Sequence, residues 1–138
     1  MRANFEASIR VEPAAISGLT EQLMEFLRAA GVDARATHHV ALAAEELLTN
    51  LATHGDAAGA AATLRAAVAP DAVTTEIIDG GKPFDPRAAP DPDLSPDIME
   101  RQVGGVGLYL IRKLARSIDY ARRDGSNFTT FVIAREAL

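Results

Sequence analysis

The sequence predicts an α+β fold of two layers, a mixed or antiparallel sheet with three helices on one face. Three observations carry that prediction. Apolar and polar residues alternate at both ends of the chain and again near its middle, two long segments repeat their apolar residues at helical spacing, and a proline-dense stretch separates them from a third helical segment.

Phe5, Ala7, Ile9 and Val11 alternate with Glu6, Ser8, Arg10 and Glu12, the period of a strand with one wet face. From Pro13, Ile16, Leu19, Leu23, Phe26, Leu27 and Ala30 recur at helical spacing, and Gly31 supplies a stop. A second helix runs from about Asp33 to His54, with Val40, Ala44, Leu47, Leu48 and Leu51 on one stripe and Gly55 after it. Leu64, Ala66 and Val68 form a short strand, Pro70-Asp71 a turn, and Val73, Thr75 and Ile77 a strand that ends at Asp79. Five of the seven prolines lie between Pro83 and Pro96, which excludes a continuous helix or central strand there. Leu108, Ile111, Leu114, Ala115 and Ile118 make a third helical stripe. A closing hairpin follows, with strands Tyr120 to Arg123 and Phe128 to Ala134 joined by the turn Asp124-Gly125-Ser126-Asn127.

At 138 residues and 48% hydrophobic composition the chain fits one domain, residues 1–138, with a core of its own. No run approaches the length of a membrane span, and Met1 to Val11 alternate too regularly for a signal peptide, so a soluble, cytoplasmic protein is expected. The absence of cysteine excludes disulfides, thiol catalysis and zinc-thiolate sites. A net charge of −5 without a long basic run argues against nucleic-acid binding.

Three polar or glycine-rich patches fall at informative places on these elements. Glu46 and Asn50 are four apart in Glu46-Leu47-Leu48-Thr49-Asn50, hence neighbours at the edge of the second helix's apolar stripe. An amide oxygen is a hard ligand that Mg²⁺ accepts beside phosphates and water, and a carboxylate one turn away can orient or deprotonate a hydroxyl. Alone, the pair reads first as a solvated helix face, and His54 as a helix-end or packing histidine. Asp79 begins Asp79-Gly80-Gly81-Lys82-Pro83-Phe84-Asp85; its carboxylate can accept from an exocyclic amine such as that of adenine, or it can simply end a strand before a turn. Gly104-Gly105-Val106-Gly107 opens the third helix, where free N–H groups and the helix dipole favour phosphate. Walker spacing is absent, and these glycines follow a proline-rich loop, so neither a P-loop nor a Rossmann site is indicated.

In those residues the chain resembles, over nearly its whole length, the anti-sigma-factor serine/threonine kinases of the histidine-kinase-like (GHKL, Bergerat fold) ATPases. The N box is similar to Glu46 through Asn50 with His54 following, the first glycine box to Asp79 through Asp85, and the second to Gly104 through Leu108. The resemblance implies ATP and Mg²⁺ as cofactors, with Asn50 on Mg²⁺, Glu46 as catalytic base and Asp79 on the adenine amine. Gly81 would let the base approach, with Pro83 and Phe84 in the same box. Gly105 and Gly107 would hold phosphate, with Gly104, Val106 and Leu108 as ATP-binding residues of the same box. Thr130 would lie near the nucleotide, and residues 86–103 would form the ATP lid. Pro83 stands where the wider superfamily often has glycine, and the lid carries Asp91, Asp93, Asp97 and Glu100 against Arg87 and Arg101. Lys82, Arg87 or Arg101 could supply a phosphate-neutralising cation.

The implied function is a Mg-ATP-dependent anti-sigma regulatory factor. It would phosphorylate a STAS-domain anti-sigma antagonist on serine or threonine and sequester a sigma factor; the resemblance also implies a homodimer. The alternatives are a nucleotide-gated partner switch without phosphotransfer, and a degenerate scaffold that binds no nucleotide.

Overall fold

The structure, a computed structural model, describes residues 3–88 and 105–136, and of Gly105 and Val106 the backbone only. Strand β1, Ala3–Arg10, sends Phe5, Ala7 and Ile9 toward the helices. Helix α1, Pro13–Ala29, starts on a proline whose missing N–H costs nothing in a first turn and buries Ile16, Leu19, Leu23 and Leu27. Gly31, at φ 81°, takes the left-handed conformation that reverses the chain into helix α2, Ala34–Thr53. Strands β2, Ala61–Val68, and β3, Ala72–Asp79, form the central hairpin. Helix α3, Gly105–Leu114, leads into strands β4, Ser117–Arg123, and β5, Ser126–Ala134.

The sheet order is β1-β2-β3-β5-β4 and every pairing is antiparallel, which decides between the two sheet types left open by the sequence. The three helices among the described residues are amphipathic, and their apolar stripes meet the inner sheet face in one core built around Leu23, Leu48, Leu64, Ile77 and Phe131. Thus α2 lies across β3 and β5, with α3 beside it. Among the described residues, no helix is long and apolar enough to cross a membrane.

Two boundaries differ from the sequence pattern. Ile118, expected on the third helix, lies in β4 opposite Phe131. It satisfies both periods, four residues after Leu114 and two before Tyr120, and the ladder that Arg116 N–H begins on the Val132 carbonyl at 2.7 Å selects the strand. The last turn is also tighter than expected. Asp124 and Gly125, at φ 50° and 79°, make a two-residue hairpin turn, so Ser126 and Asn127 belong to β5. The expected lid, residues 86–103, is described only through Ala88, where Pro86–Ala88 form one 3-10 turn; the remainder lies outside the described residues.

Asp33 joins two ends of the molecule. Its Oδ2 accepts the Ala36 N–H at 3.1 Å and caps α2, while Oδ1 accepts the Glu136 N–H at 2.9 Å. The Glu136 bond above all, then the Ala36 bond, holds this carboxyl below its usual 3.8, against the opposing effect of burial. Asp33→Ala should cost about 1 kcal/mol, a melting-temperature drop of roughly 3–5 °C. Because the folded value is depressed, the contribution is fully present above pH 3.8 and is lost as pH falls through the folded value. Calorimetry of both proteins across acid pH should therefore show their melting temperatures converge.

Candidate functional site

Helix α2 gathers the three patches in the order of its own residues. Glu46 lies against Gly107 in the first turn of α3, where an added Cβ would overlap the Glu46 carboxylate. Leu47 and Leu51 line a narrow cleft with Ile77 and Asp79 of β3 and Thr129 of β5, closed by Phe84 and Pro86. At the helix end the His54 ring stacks on Phe84, centroids 6.2 Å apart at 16°. The Gly55 carbonyl then accepts the Lys82 N–H at 3.0 Å. Residues 27, 30 and 61 apart in sequence, Gly55 and Lys82, His54 and Phe84, Glu46 and Gly107, are thus laid along one helix edge, the first two pairs because the β2–β3 hairpin returns the chain to it.

Asp79 is 3% exposed at the end of β3. Its Oδ2 accepts two donors, the Gly81 N–H at 2.9 Å and Asn127 Nδ2 at 3.1 Å, while Oδ1 accepts none among the described residues. A carboxylate held by one oxygen presents the other to a ligand donor. Gly81 is required by packing, since a side chain there would collide with the Gly55 carbonyl and crowd Asp79 and Ala57. The open face of this turn is at Gly80, where an added Cβ meets nothing. Pro83 is exposed and Phe84 half-buried.

Asn50 is 1% exposed, and its Nδ2 has no hydrogen-bond partner among the described residues. Leaving a buried N–H donor unsatisfied costs about 1–3 kcal/mol, a cost that an acceptor oxygen of a ligand at this edge, such as a phosphate oxygen, would remove. Glu46, one turn earlier, is half-buried; burial first and the neighbouring Glu45 charge second raise its carboxyl above 4.5. A base of raised basicity beside a hard oxygen donor suits proton abstraction near a cation, and Asn50 and Glu46 are the residues that would hold Mg²⁺ and accept the proton. Among the described residues, no three His, Asp or Glu side chains gather into a metal cage, so a cation here would draw further oxygens from phosphate and water.

Gly105 opens α3, whose first-turn N–H groups have no partner within the helix, Gly107 follows in the same turn, and Leu108 is buried in the core; Gly104 lies outside the described residues. Thr130 is not brought to the site. Strand alternation places it on the outer sheet face, near Arg65, Thr74 and Glu76, and it is Thr129 that shares the cleft with Asp79. The expectation is therefore corrected by one residue. Of the three candidate cations, Lys82 reaches Asp56 at 3.9 Å, and Arg87 is forked onto Asp85 at 3.0 and 2.9 Å, which lowers the Asp85 carboxyl; Arg101 lies outside the described residues.

Sequence reasoning missed Asn127, Tyr120 and Arg122. Asn127 stands opposite Asp79 on β3 and opposite Arg122 on β4. Besides Asp79 its Nδ2 donates to the Lys82 carbonyl at 3.0 Å, and its Oδ1 accepts from Arg122 at 3.1 Å and from the Tyr120 hydroxyl. Placing Asn127 in the turn hid it; the signal that finds it is the Asp-Gly pair, which suffices for a two-residue turn.

Comparison with known proteins bears on the family and the fold. Residues 9–133 match the family described as the histidine kinase-like ATPase domain. The serine/threonine-protein kinase BtrW of Bordetella bronchiseptica is 33% identical over 99 residues, 70% of either chain. The crystal structure of the RsbU and RsbW domains of Rv1364c from Mycobacterium tuberculosis superposes with a TM-score of 0.69 at 19% identity, a likeness of fold. That alignment covers 98% of this chain and 34% of the other, so this chain spans about a third of that protein.

Proposed function

The chain belongs to the histidine kinase-like ATPase domain family, and from that premise we propose that it is a Mg-ATP-dependent anti-sigma regulatory factor. In this reading it transfers phosphate to a serine or threonine of a STAS-type antagonist and sequesters a sigma factor. The observation that carries the reading is Glu46 seated on Gly107, with the unpartnered Asn50 amide one turn away. A base, a hard oxygen donor and a helix start meet there, and the kinase name of the Bordetella relative supports transfer over binding alone.

Asp79 accepts the adenine amine through Oδ1. The first turn of α3 donates N–H groups to phosphate oxygens. Asn50 would hold Mg²⁺, and the ion when bound would supply neutralisation of phosphate charge. Glu46 accepts the proton of the attacking hydroxyl. Incubation with Mg-ATP and the cognate STAS domain should yield a phosphoserine or phosphothreonine on that domain. Stable complex formation without any phosphate transfer would instead support the nucleotide-gated partner switch.

The pH dependence has a defined sign. Glu46 must be ionised to accept a proton, and its folded value lies above 4.5. The acid limb of kcat/KM should therefore be centred above pH 4.5, and Glu45→Gln, which removes a neighbouring negative charge, should move it to lower pH. A limb that ignores Glu45 contradicts Glu46 as the titrating group.

A further inference from the structure

Three strands contribute one side-chain row to the inner sheet face at the mouth of the cleft: Asp79 from β3, Asn127 from β5 and Arg122 from β4, in register. Asn127 is 1% exposed, and every polar atom of its amide is engaged. The direction of each bond follows from the chemistry of its neighbours. Arg122 and the Phe84 N–H only donate. The Tyr120 hydroxyl accepts from Phe84 at 3.3 Å and so spends its own proton on Asn127 Oδ1, where Arg122 donates as well at 3.1 Å. Nδ2 must then face the acceptors, Asp79 Oδ2 at 3.1 Å and the Lys82 carbonyl at 3.0 Å. A chain of fixed polarity runs from the root of the lid segment, through Tyr120 and Asn127, to the carboxylate that reads the base.

We propose that Asn127 is the positioning residue that sets purine selectivity, by pinning Asp79 through Oδ2 so that Oδ1 stays aimed as an acceptor at a 6-amino purine and repels a 6-oxo purine. The proposal rests on the adenine-nucleotide reading of the pocket. Asn127 touches no ligand in it and acts only through Asp79 and the glycine turn. A hydrogen bond from a rigid amide removes the carboxylate's freedom to rotate, and a rotating carboxylate discriminates less between an amine and a carbonyl at the same position.

Displacement of a fluorescent ADP analogue by ATP and by ITP tests it on the whole chain, for wild type, Asn127→Ala and Tyr120→Phe. Wild type should prefer ATP. Asn127→Ala should lower the ATP-to-ITP affinity ratio about five- to tenfold, the worth of one hydrogen bond, with the loss falling on ATP. Tyr120→Phe leaves Asn127 in place but removes one of the two donors, beside Arg122, that hold its amide's orientation, and should lower the ratio in the same direction by a smaller factor. It decides the matter where Asn127→Ala does not fold. A ratio unchanged in the folded variants, with ATP and ITP weakened equally, overturns the proposal and leaves the pocket reading standing. Failure of wild type to bind either nucleotide removes the pocket reading and the proposal with it.

Discussion

Glu46→Gln is expected to slow phosphate transfer by about 10²- to 10⁴-fold, the usual contribution of a positioned general base. Glutamine matches glutamate in size, so it fits the space beside Gly107 that the carboxylate occupies. It also removes a charge whose burial is unfavourable, as the raised carboxyl indicates, so folding should not suffer. ATP affinity should hold or rise slightly, because a carboxylate near phosphate oxygens is repulsive. Single-turnover transfer to the STAS domain, with nucleotide affinity measured alongside, separates the two effects. A variant that transfers at the wild-type rate would show that positioning and charge neutralisation carry the reaction without a base at this place.

Asp79→Asn should weaken ATP binding by roughly 100-fold, about 2.7 kcal/mol, and its cause lies in hydrogen-bond polarity. Gly81 N–H and Asn127 Nδ2 both donate to the oxygen they now share. An asparagine at 79 must give them its oxygen, which turns its NH₂ group outward. That group then meets the adenine amine donor to donor. A 6-oxo purine should lose much less, so competition titration with ATP and ITP reads the cause and not merely the loss. Equal weakening of both would mean that the substitution acted by disturbing the turn.

Much of the fold was legible because it rests on period. Phe5, Ala7 and Ile9 face inward two apart, and the α2 stripe from Val40 to Leu51 is buried as helical spacing requires. Asp79 at a strand end and Gly107 at a helix start were also readable, each marked by an unusual residue at an element boundary. What was not legible depended on register. Whether Thr129 or Thr130 faces the cleft turns on a single residue of β5, and that follows from a two-residue turn at Asp124-Gly125 whose backbone conformation composition only suggests. The same slip concealed Asn127. The need for glycine at 81 was readable, but its reason, the Gly55 carbonyl arriving from the end of α2, is a tertiary contact that no local pattern contains.

The central claim is that the three patches form one Mg-nucleotide pocket along α2, and calorimetric titration of ATP with and without Mg²⁺ tests it most directly. The expected result is one site per chain in the wild type, strengthened by Mg²⁺, with the Mg²⁺ dependence lost in Asn50→Ala. Absence of binding heat in the wild type at millimolar Mg-ATP, at two temperatures, would contradict it.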